Sequence, residues 1–404
     1  MAKRILIYTN HFYPEQFKIN EAVTWLSQEG FKLHIVTGWP NYPQGKIFKG
    51  YGPFKRSFEH QKNIKIRRLP LIPRGSGSKI RLVANYLSYF SSTFFYTIFL
   101  ILFKKKYDKV LVHHTSPFFI AISAIFYKTI KRTEAILWDL DLWPNSLQAV
   151  GAINSNVLLN GVEKAVKIIY KKFDIVLVGS KSFIEIVRER VTHDRIYYFP
   201  NWAEKIIEEN NVKDEVKANL IPNALKIMYT GNLGKSQDFG TLSKAIIKNQ
   251  KKNIQWIFVG DGRFKSEMKK LLSDVIKENK VLFIPQQKLE IIPSWVAKAD
   301  FLYLSLNDSK LFRQTVPAKL QGYMAMGKPI LAMLAGEGAN IINEAKCGFI
   351  ASPNNISELK DIIKNALKTS EIERKNLGDN GKIFYQKYFS SIIRKKELIK
   401  FIKN

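Results

Sequence analysis

At 404 residues the chain is too long for one hydrophobic core and divides most naturally into two domains of roughly 200 residues each. Its apolar content of 46% and lack of low-complexity segments exclude a disordered chain, and its single cysteine, Cys347, leaves no internal disulfide to form and fits a reducing cytoplasm. A net charge of +30 requires anionic partners; phosphorylated substrates and an anionic membrane fit, whereas no nucleic-acid motif or aromatic-basic stacking pattern is present, so no nucleic acid is expected.

The chain opens with a βαβ unit: strand Lys3–Thr9, helix Ile19–Glu29 stopped by Gly30, and strand Lys32–Thr37. Ile5–Tyr8 is too short for a signal-peptide core and is followed at once by polar loop residues, so the protein is expected to stay in the cytoplasm. The loop His11–Phe17 occupies the first strand-to-helix crossing, where α/β domains place ligands, and His11 is the candidate catalytic group in it. Trp39-Pro40-Asn41-Tyr42-Pro43-Gln44-Gly45 follows the second strand, and its composition suits either a sugar platform or a plain structured loop.

Between Lys49 and Lys109 stand 14 basic residues against only Glu59 and Asp108. Inside this window residues 82–103 carry no charge and approach the length of a membrane span. The strands expected on either side, near Ile64–Arg68 and at Lys109–His113, should share one sheet, which argues against a single crossing. Lys79 and Arg81 precede the segment and Lys104, Lys105 and Lys106 follow it, so no positive-inside bias exists. With Asn85, Ser88 and Ser92 on one helical face and aromatic and aliphatic residues around the rest, the segment suits a helix lying in a membrane interface, Phe94, Phe95 and Phe99 touching lipid; the alternative is a core helix.

Asp139-Leu140-Asp141-Leu142-Trp143-Pro144 ends a strand that starts near Ala135. The two carboxylates share a face if the strand continues through them, as in transferases of another fold that hold manganese. The cationic cluster described below makes a metal redundant, so neither metal nor other cofactor is expected. Asp141 reads as the orienting group or base for an acceptor hydroxyl, or as a structural cap. His113 and His114 are adjacent in a strand, face opposite ways and cannot jointly ligate a metal. Strand Ile175–Gly179 leads into Ser180 as a helix N-cap, and Tyr197–Trp202 closes a first domain of residues 1–205.

After a polar linker the pattern repeats over residues 206–380: strand Lys226–Thr230, loop Gly231-Asn232-Leu233-Gly234-Lys235-Ser236, a helix from Asp238, strand Ile254–Val259 and Gly260-Asp261-Gly262, with further strands at Val281–Ile284 and Phe301–Ser305. The stretch Phe312–Leu331 then supplies a helix whose N-cap is read as Thr315 or Val316, because Pro317 suits a first turn, and whose stop is Gly327. Arg313 and Lys319 flank that N-terminus, where unpaired N–H groups already favour an anion. Together with Lys235 and the glycine loop they read as a pyrophosphate clamp. Residues 381–404 form an aromatic and basic helical tail.

At Val316-Pro317-Ala318-Lys319 and Tyr323-x-Ala325-x-Gly327-Lys328-Pro329, and again at Pro40-Asn41-Tyr42-Pro43-x-Gly45, the chain resembles bacterial family 4 glycosyltransferases, more narrowly those similar to N-acetyl-L-fucosamine transferases of surface-polysaccharide (O-antigen, capsule, colanic acid) synthesis. The resemblance implies a GT-B fold, two Rossmann-like domains facing a central cleft with the C-terminal helix crossing back to the first. It implies metal-independent transfer, with retention of anomeric configuration, of an N-acetylated deoxyhexosamine from a UDP-linked donor to a lipid-linked (polyprenyl diphosphate) glycan at the inner face of the plasma membrane. Donor contacts are then expected from Gly231, Asn232, Lys235, Gly260, Asp261, Arg313, Gln314, Thr315, Val316 and Lys319, and acceptor contacts from Phe17, Lys18, Asn41 and Tyr42, with Lys18 at the place of a family glycine. Where the family carries a Glu-x7-Glu pair, this chain has Gln314 and Gly322. A nucleotide-sugar 2-epimerase shares such a fold and clamp but needs no apolar, basic 79–109 segment, and a non-catalytic scaffold is the alternative that Gln314 and Gly322 leave open.

Overall fold

The computed structural model describes residues 3–75, 77–149, 155–212 and 216–404. The chain divides into two compact units, Met1–Phe199 with Lys395–Asn404, and Pro200–Arg394. The division falls at Phe199 rather than at residue 205, and the returning segment starts at Lys395 rather than at 381. The reason lies in the helix Glu371–Tyr388, which runs unbroken through residue 381. Its Tyr385 hydroxyl accepts from the Ala203 N–H at 2.9 Å and donates to Glu208, so the helix and the expected linker pack as one body. That linker contains a helical turn, Lys205–Glu209; its residues 213–215 lie outside the described residues.

The first unit holds β1 (Arg4–Thr9), β2 (Lys32–Gly38), β3 (Phe58–Gln61), β4 (Ile64–Leu69), β5 (Lys109–His114), β6 (Glu134–Asp139), β7 (Ile175–Val178) and β8 (Ile196–Tyr198) in the order β3-β4-β2-β1-β5-β6-β7-β8. All pairs are parallel except β3 with β4, an edge strand the sequence pattern does not announce. Runs such as Ile5-Leu6-Ile7-Tyr8 and Val110-Leu111-Val112 are fully buried, as strands covered on both faces must be. The second unit holds β9 (Leu225–Thr230), β10 (Ile254–Val259), β11 (Val281–Ile284), β12 (Phe301–Ser305), β13 (Ile330–Met333) and β14 (Gly348–Ala351), all parallel, in the order β11-β10-β9-β12-β13-β14. Each sheet reverses its strand order beside its first strand, at β1/β5 and at β9/β12. Ligands of doubly wound sheets bind beyond the carboxyl ends of the strands at that switch.

Two helices of the first unit matter here, α1 (Lys18–Gln28) and α2 (Lys79–Phe103). The strands on either side of α2, β4 and β5, lie in one sheet, which rules out a single membrane crossing. Its polar face, however, points inward. Asn85 Nδ2 donates to Ile72 O at 2.6 Å, Ser92 Oγ to Pro70 O at 2.7 Å, and Thr97 Oγ1 meets Tyr8 OH at 2.8 Å. Tyr89 OH donates to Thr9 O at 2.7 Å. These polar atoms pair with the carbonyls of Ile72, Pro70 and Thr9 and with the Tyr8 hydroxyl, so the apolar face is left outside: Phe95, Leu102 and Phe103 are 70%, 67% and 69% exposed. Phe94 differs from Phe95 and Phe99, its ring packing on Phe126 at 5.1 Å and on Phe90 at 5.8 Å.

The Thr97 hydroxyl donates to Thr93 O, so it accepts from Tyr8. Thr97→Val keeps the shape and leaves the fully buried Tyr8 hydroxyl unpaired, which costs about 1–3 kcal/mol and lowers the melting temperature of the unit by several degrees. Calorimetry of the full chain measures this; an unchanged transition contradicts the inward polar face.

Candidate functional site

The second unit's switch point is built on glycines. Gly231, with φ of 123°, follows β9, and Gly260, with φ of 152°, follows β10 beside it. A β-carbon on Gly260 would stand 2.0 Å from Gly231 O, and one on Gly262 would stand 2.3 Å from Leu233 O. Only bare backbone lets the two loops interlock. Lys319 reaches the same place from the helix Ala318–Ala325: its Cε and Nζ lie 2.6 Å and 3.3 Å from where a β-carbon of residue 231 would be, and its ammonium sits 5.1 Å over the Tyr229 ring. Among the described residues Lys319 has no carboxylate partner, and burial pushes its pKa down. A half-buried ammonium without a counter-charge, against glycine backbone at a sheet's carboxyl edge, is chemically a receptor for an anion.

The helix begins differently from the sequence expectation. Its N-cap is Pro317, and Thr315 is instead the C-cap of the short helix Lys310–Gln314, donating from Oγ1 to Leu311 O at 2.8 Å. A residue before proline is disfavoured in helical backbone, which accounts for neither Thr315 nor Val316 starting the helix, and Val316 is buried. Arg313 is also placed otherwise: its Nε and Nη2 donate to Asp308 at 2.6 and 2.8 Å, a bidentate pair on the surface. Lys235 is exposed in the turn Lys235–Gln237, which Asn307 Nδ2 ties down by donating to Lys235 O at 2.8 Å. Asp261 is an exposed loop carboxylate 3.8 Å from Lys265. Gln314 Oε1 is buried without a partner, and a β-carbon at Gly322 would meet only Ile207.

At the first unit's switch point Glu15 is the organising residue, one the sequence reading passed over. Only 3% exposed, it accepts from the N–H groups of Asn41 and Tyr42 at 2.9 and 2.7 Å through Oε1 and faces His11 Nδ1 at 3.0 Å through Oε2. Arg74 Nη2 lies 3.1 Å from His11 Nε2. A guanidinium only donates, so Nε2 accepts, Nδ1 carries the hydrogen, and it donates to Glu15. His11 stacks on Phe17 at 4.6 Å and tilts against Tyr42 at 5.4 Å. Both of its nitrogens are engaged, which makes it a positioning residue rather than a free base. Lys18 opens α1 and pairs with Glu21 at 3.7 Å. Asn41 is buried, while Tyr42 is 42% exposed.

Beyond β5 and β6, the aspartates take separate parts. The strand ends at Asp139, whose Oδ1 accepts from His114 Nδ1 at 2.5 Å and whose Oδ2 accepts from Tyr170. Burial works to raise its pKa, but His114, Tyr170 and the Asp141 N–H outweigh that and hold it below the usual carboxylate range. With both oxygens committed to the interior, Asp139 does not converge with Asp141 on a metal. Asp141 accepts from Ser116, which in turn accepts from Trp143 Nε1 at 2.7 Å. Asp141 is partly exposed beside the first switch point. His113, on the opposite face from His114, is buried with Nδ1 3.0 Å from Thr9 Oγ1.

Residues 211–384, most of the second unit, match the family described as Glycosyl transferases group 1. The chain is 21% identical over 340 residues, 80% of its length and 81% of the relative's, to WcaI of Escherichia coli K12, assigned as a colanic acid biosynthesis glycosyl transferase. Among solved structures it is similar to sucrose-phosphate synthase of Thermosynechococcus elongatus, at TM-score 0.72 and 14% identity over 100% of this chain and 98% of that one. It is also similar to HepE of Anabaena, solved with UDP and glucose, at TM-score 0.65 and 12% identity over 100% of both chains. The fold is GT-B.

Burial, followed by the nearby His11 and His114, drives the His113 pKa down to about 3, and burial with surrounding cations drives His34 down to about 4. Both must fold neutral, so the unfolded chain binds more protons below pH 6.5. Stability is accordingly full above that pH and falls as the pH drops toward 4, by on the order of 1 kcal/mol per pH unit for each histidine. Denaturant melts between pH 7 and 4 measure the slope. His113→Gln should flatten it by one histidine's share; an unchanged slope contradicts the assignment.

Proposed function

We propose that the protein is a nucleotide-sugar-dependent glycosyltransferase that moves an N-acetylated deoxyhexosamine from UDP to a lipid-linked (polyprenyl diphosphate) glycan at the inner face of the plasma membrane, in surface-polysaccharide synthesis. The observation that carries this reading is Lys319, a half-buried ammonium with no carboxylate partner among the described residues, at the glycine-lined switch point of the unit that matches the group 1 glycosyl transferases. The likeness to WcaI, and the UDP bound in HepE, support the substrate classes.

In the proposed reaction the anomeric carbon–oxygen bond to the diphosphate breaks and its electron pair stays on UDP, where Lys319 and the Gly231–Lys235 loop neutralise the developing charge without a metal. The acceptor hydroxyl oxygen forms the new bond, with retention, and its proton passes to Asp141. Glu15, His11 and Arg74 hold the Tyr42 loop that receives the acceptor glycan. Gln314, with its unpartnered buried Oε1, takes a donor hydroxyl where the resembling family uses a glutamate. The exposed apolar face of α2, continued at its C-terminal end by Lys104, Lys105 and Lys106, lies on anionic lipid and brings the enzyme to its acceptor.

Titration of UDP into the full chain tests the donor site. Lys319→Ala should weaken binding on the order of tenfold to a hundredfold, the worth of one charge-assisted contact, and unchanged affinity removes the proposal's foundation. Asp141→Asn should keep UDP affinity and lose most of its turnover; full turnover assigns Asp141 to structure.

A further inference from the structure

A cavity of the first unit lies at the end of its sheet away from the switch point. It encloses about 690 Å3, within the roughly 300–1,000 Å3 typical of small-ligand sites, and Arg4, Lys32, Lys62, Lys65, Arg67 and Lys104 contribute to its wall. Arg4 and Lys32 are the first residues of β1 and β2, whereas His11 follows the last residue of β1. Roughly 17 Å of strand therefore separates the cavity from the switch point, at about 3.3 Å per residue. It is not part of the site described above.

No aspartate or glutamate lines it. Among the described residues, Lys32, Lys62, Lys65, Arg67 and Lys104 form no ion pair, and Arg67 Nε is buried without a partner. Two acids stand beside lining residues and are engaged elsewhere: Asp108 accepts from the Arg4 backbone N–H at 2.6 Å, and Glu59 accepts from Arg68 at 2.6 Å. Aromatic rings carry three of the cations: Arg4 lies 4.7 Å over Tyr107, Arg67 5.5 Å over Tyr96, and Lys104 5.5 Å over Phe99. Burial first, then the combined field of Lys65, Lys104, Arg4 and Arg67, keeps His34 in the wall neutral. Cations gathered in a concavity lined by no carboxylate repel one another, and a phosphate relieves that repulsion.

The neighbouring surface indicates what bears that phosphate. Tyr96 and Phe99 in the wall belong to α2, whose exposed residues Phe95, Leu102 and Phe103 continue outward from the same helix. A ligand with its phosphate in the cavity would thus have acyl chains beside an apolar stripe. We propose that this cavity is a site for the phosphate-bearing headgroup of an anionic phospholipid. It rests on the membrane reading of α2 and adds to it a stoichiometric lipid site, distinct from general charge attraction.

Calorimetry with dihexanoyl phosphatidylglycerol below its micellar concentration tests the cavity, and sedimentation with phosphatidylcholine vesicles containing phosphatidylglycerol tests the membrane reading separately. The full-length protein should bind the soluble lipid one to one and ignore dihexanoyl phosphatidylcholine. Replacing Lys32, Lys62 and Lys65 by Ser should weaken soluble-lipid binding on the order of a hundredfold, at about fivefold per cation. The charge-matched replacement of Lys244, Lys251 and Lys364, exposed in the second unit, should leave it unchanged. Phe95→Ser with Leu102→Ser and Phe103→Ser should release the protein from vesicles while soluble-lipid binding persists. Equal losses from the two lysine triples, or no binding of the soluble lipid, overturn the cavity proposal whatever the vesicles do. Displacement of the lipid by equimolar inorganic phosphate overturns its lipid origin. Wild-type protein that ignores the vesicles yet binds the soluble lipid defeats the membrane reading alone.

Discussion

The donor-side architecture depends on a close approach of backbone to charge. Gly231, Gly260 and Gly262 carry no β-carbons, so the loops after β9 and β10 interlock and Lys319 can pass its side chain against the Gly231 backbone. Tyr323, from the same helix as Lys319, secures that strand end by accepting from the Thr230 N–H at 3.0 Å. The outcome is a lysine that folding has placed in a partly desolvated position with no carboxylate partner among the described residues. Protein stability alone gives no reason for such an arrangement, since burial of an unpaired cation is unfavourable. A ligand that brings two phosphates to the switch point gives one.

The first unit applies a similar economy with different groups. Glu15 is buried and fully used, accepting from two backbone N–H groups and from His11, and through His11 it fixes Arg74. This couples three segments that are distant in sequence, the first loop, the Asn41–Tyr42 loop and the chain entering α2. Asp139 does the corresponding task between β5, β6 and the Tyr170 helix, leaving Asp141 as the more accessible aspartate of the pair. In the cavity at the other end of the same sheet the lining charges are all positive, and α2 turns its polar atoms inward and its rings outward.

Much of this was legible in the sequence where local rules decide the outcome. The alternation of fully apolar runs with helical periods gave two parallel sheets, and Gly231, Gly260 and Lys319 were identifiable from strand-glycine-loop order and from a cation beside a helix start. What failed were features set by partners far along the chain. Thr315 looks like an N-cap until Pro317 disfavours helical backbone at Val316. Arg313 looks free until Asp308 accepts from its Nε and Nη2. Glu15 looked like one loop carboxylate among others because the amides it accepts from lie 26 and 27 residues away. The polar residues of α2 were seen, but which way they faced depended on carbonyls at Pro70 and Ile72 and on Tyr8, which periodicity cannot supply. The edge strand β3, short and polar, had no apolar pattern to betray it.

The central claim is that the glycine-lined switch point of the second unit binds a nucleoside diphosphate through Lys319. A crystal structure of the full chain with UDP measures this directly. The account predicts diphosphate oxygens within hydrogen-bond distance of Lys319 Nζ and of the backbone N–H groups between Gly231 and Lys235. UDP bound elsewhere, with Lys319 still resting on the Tyr229 ring and unengaged, would contradict it.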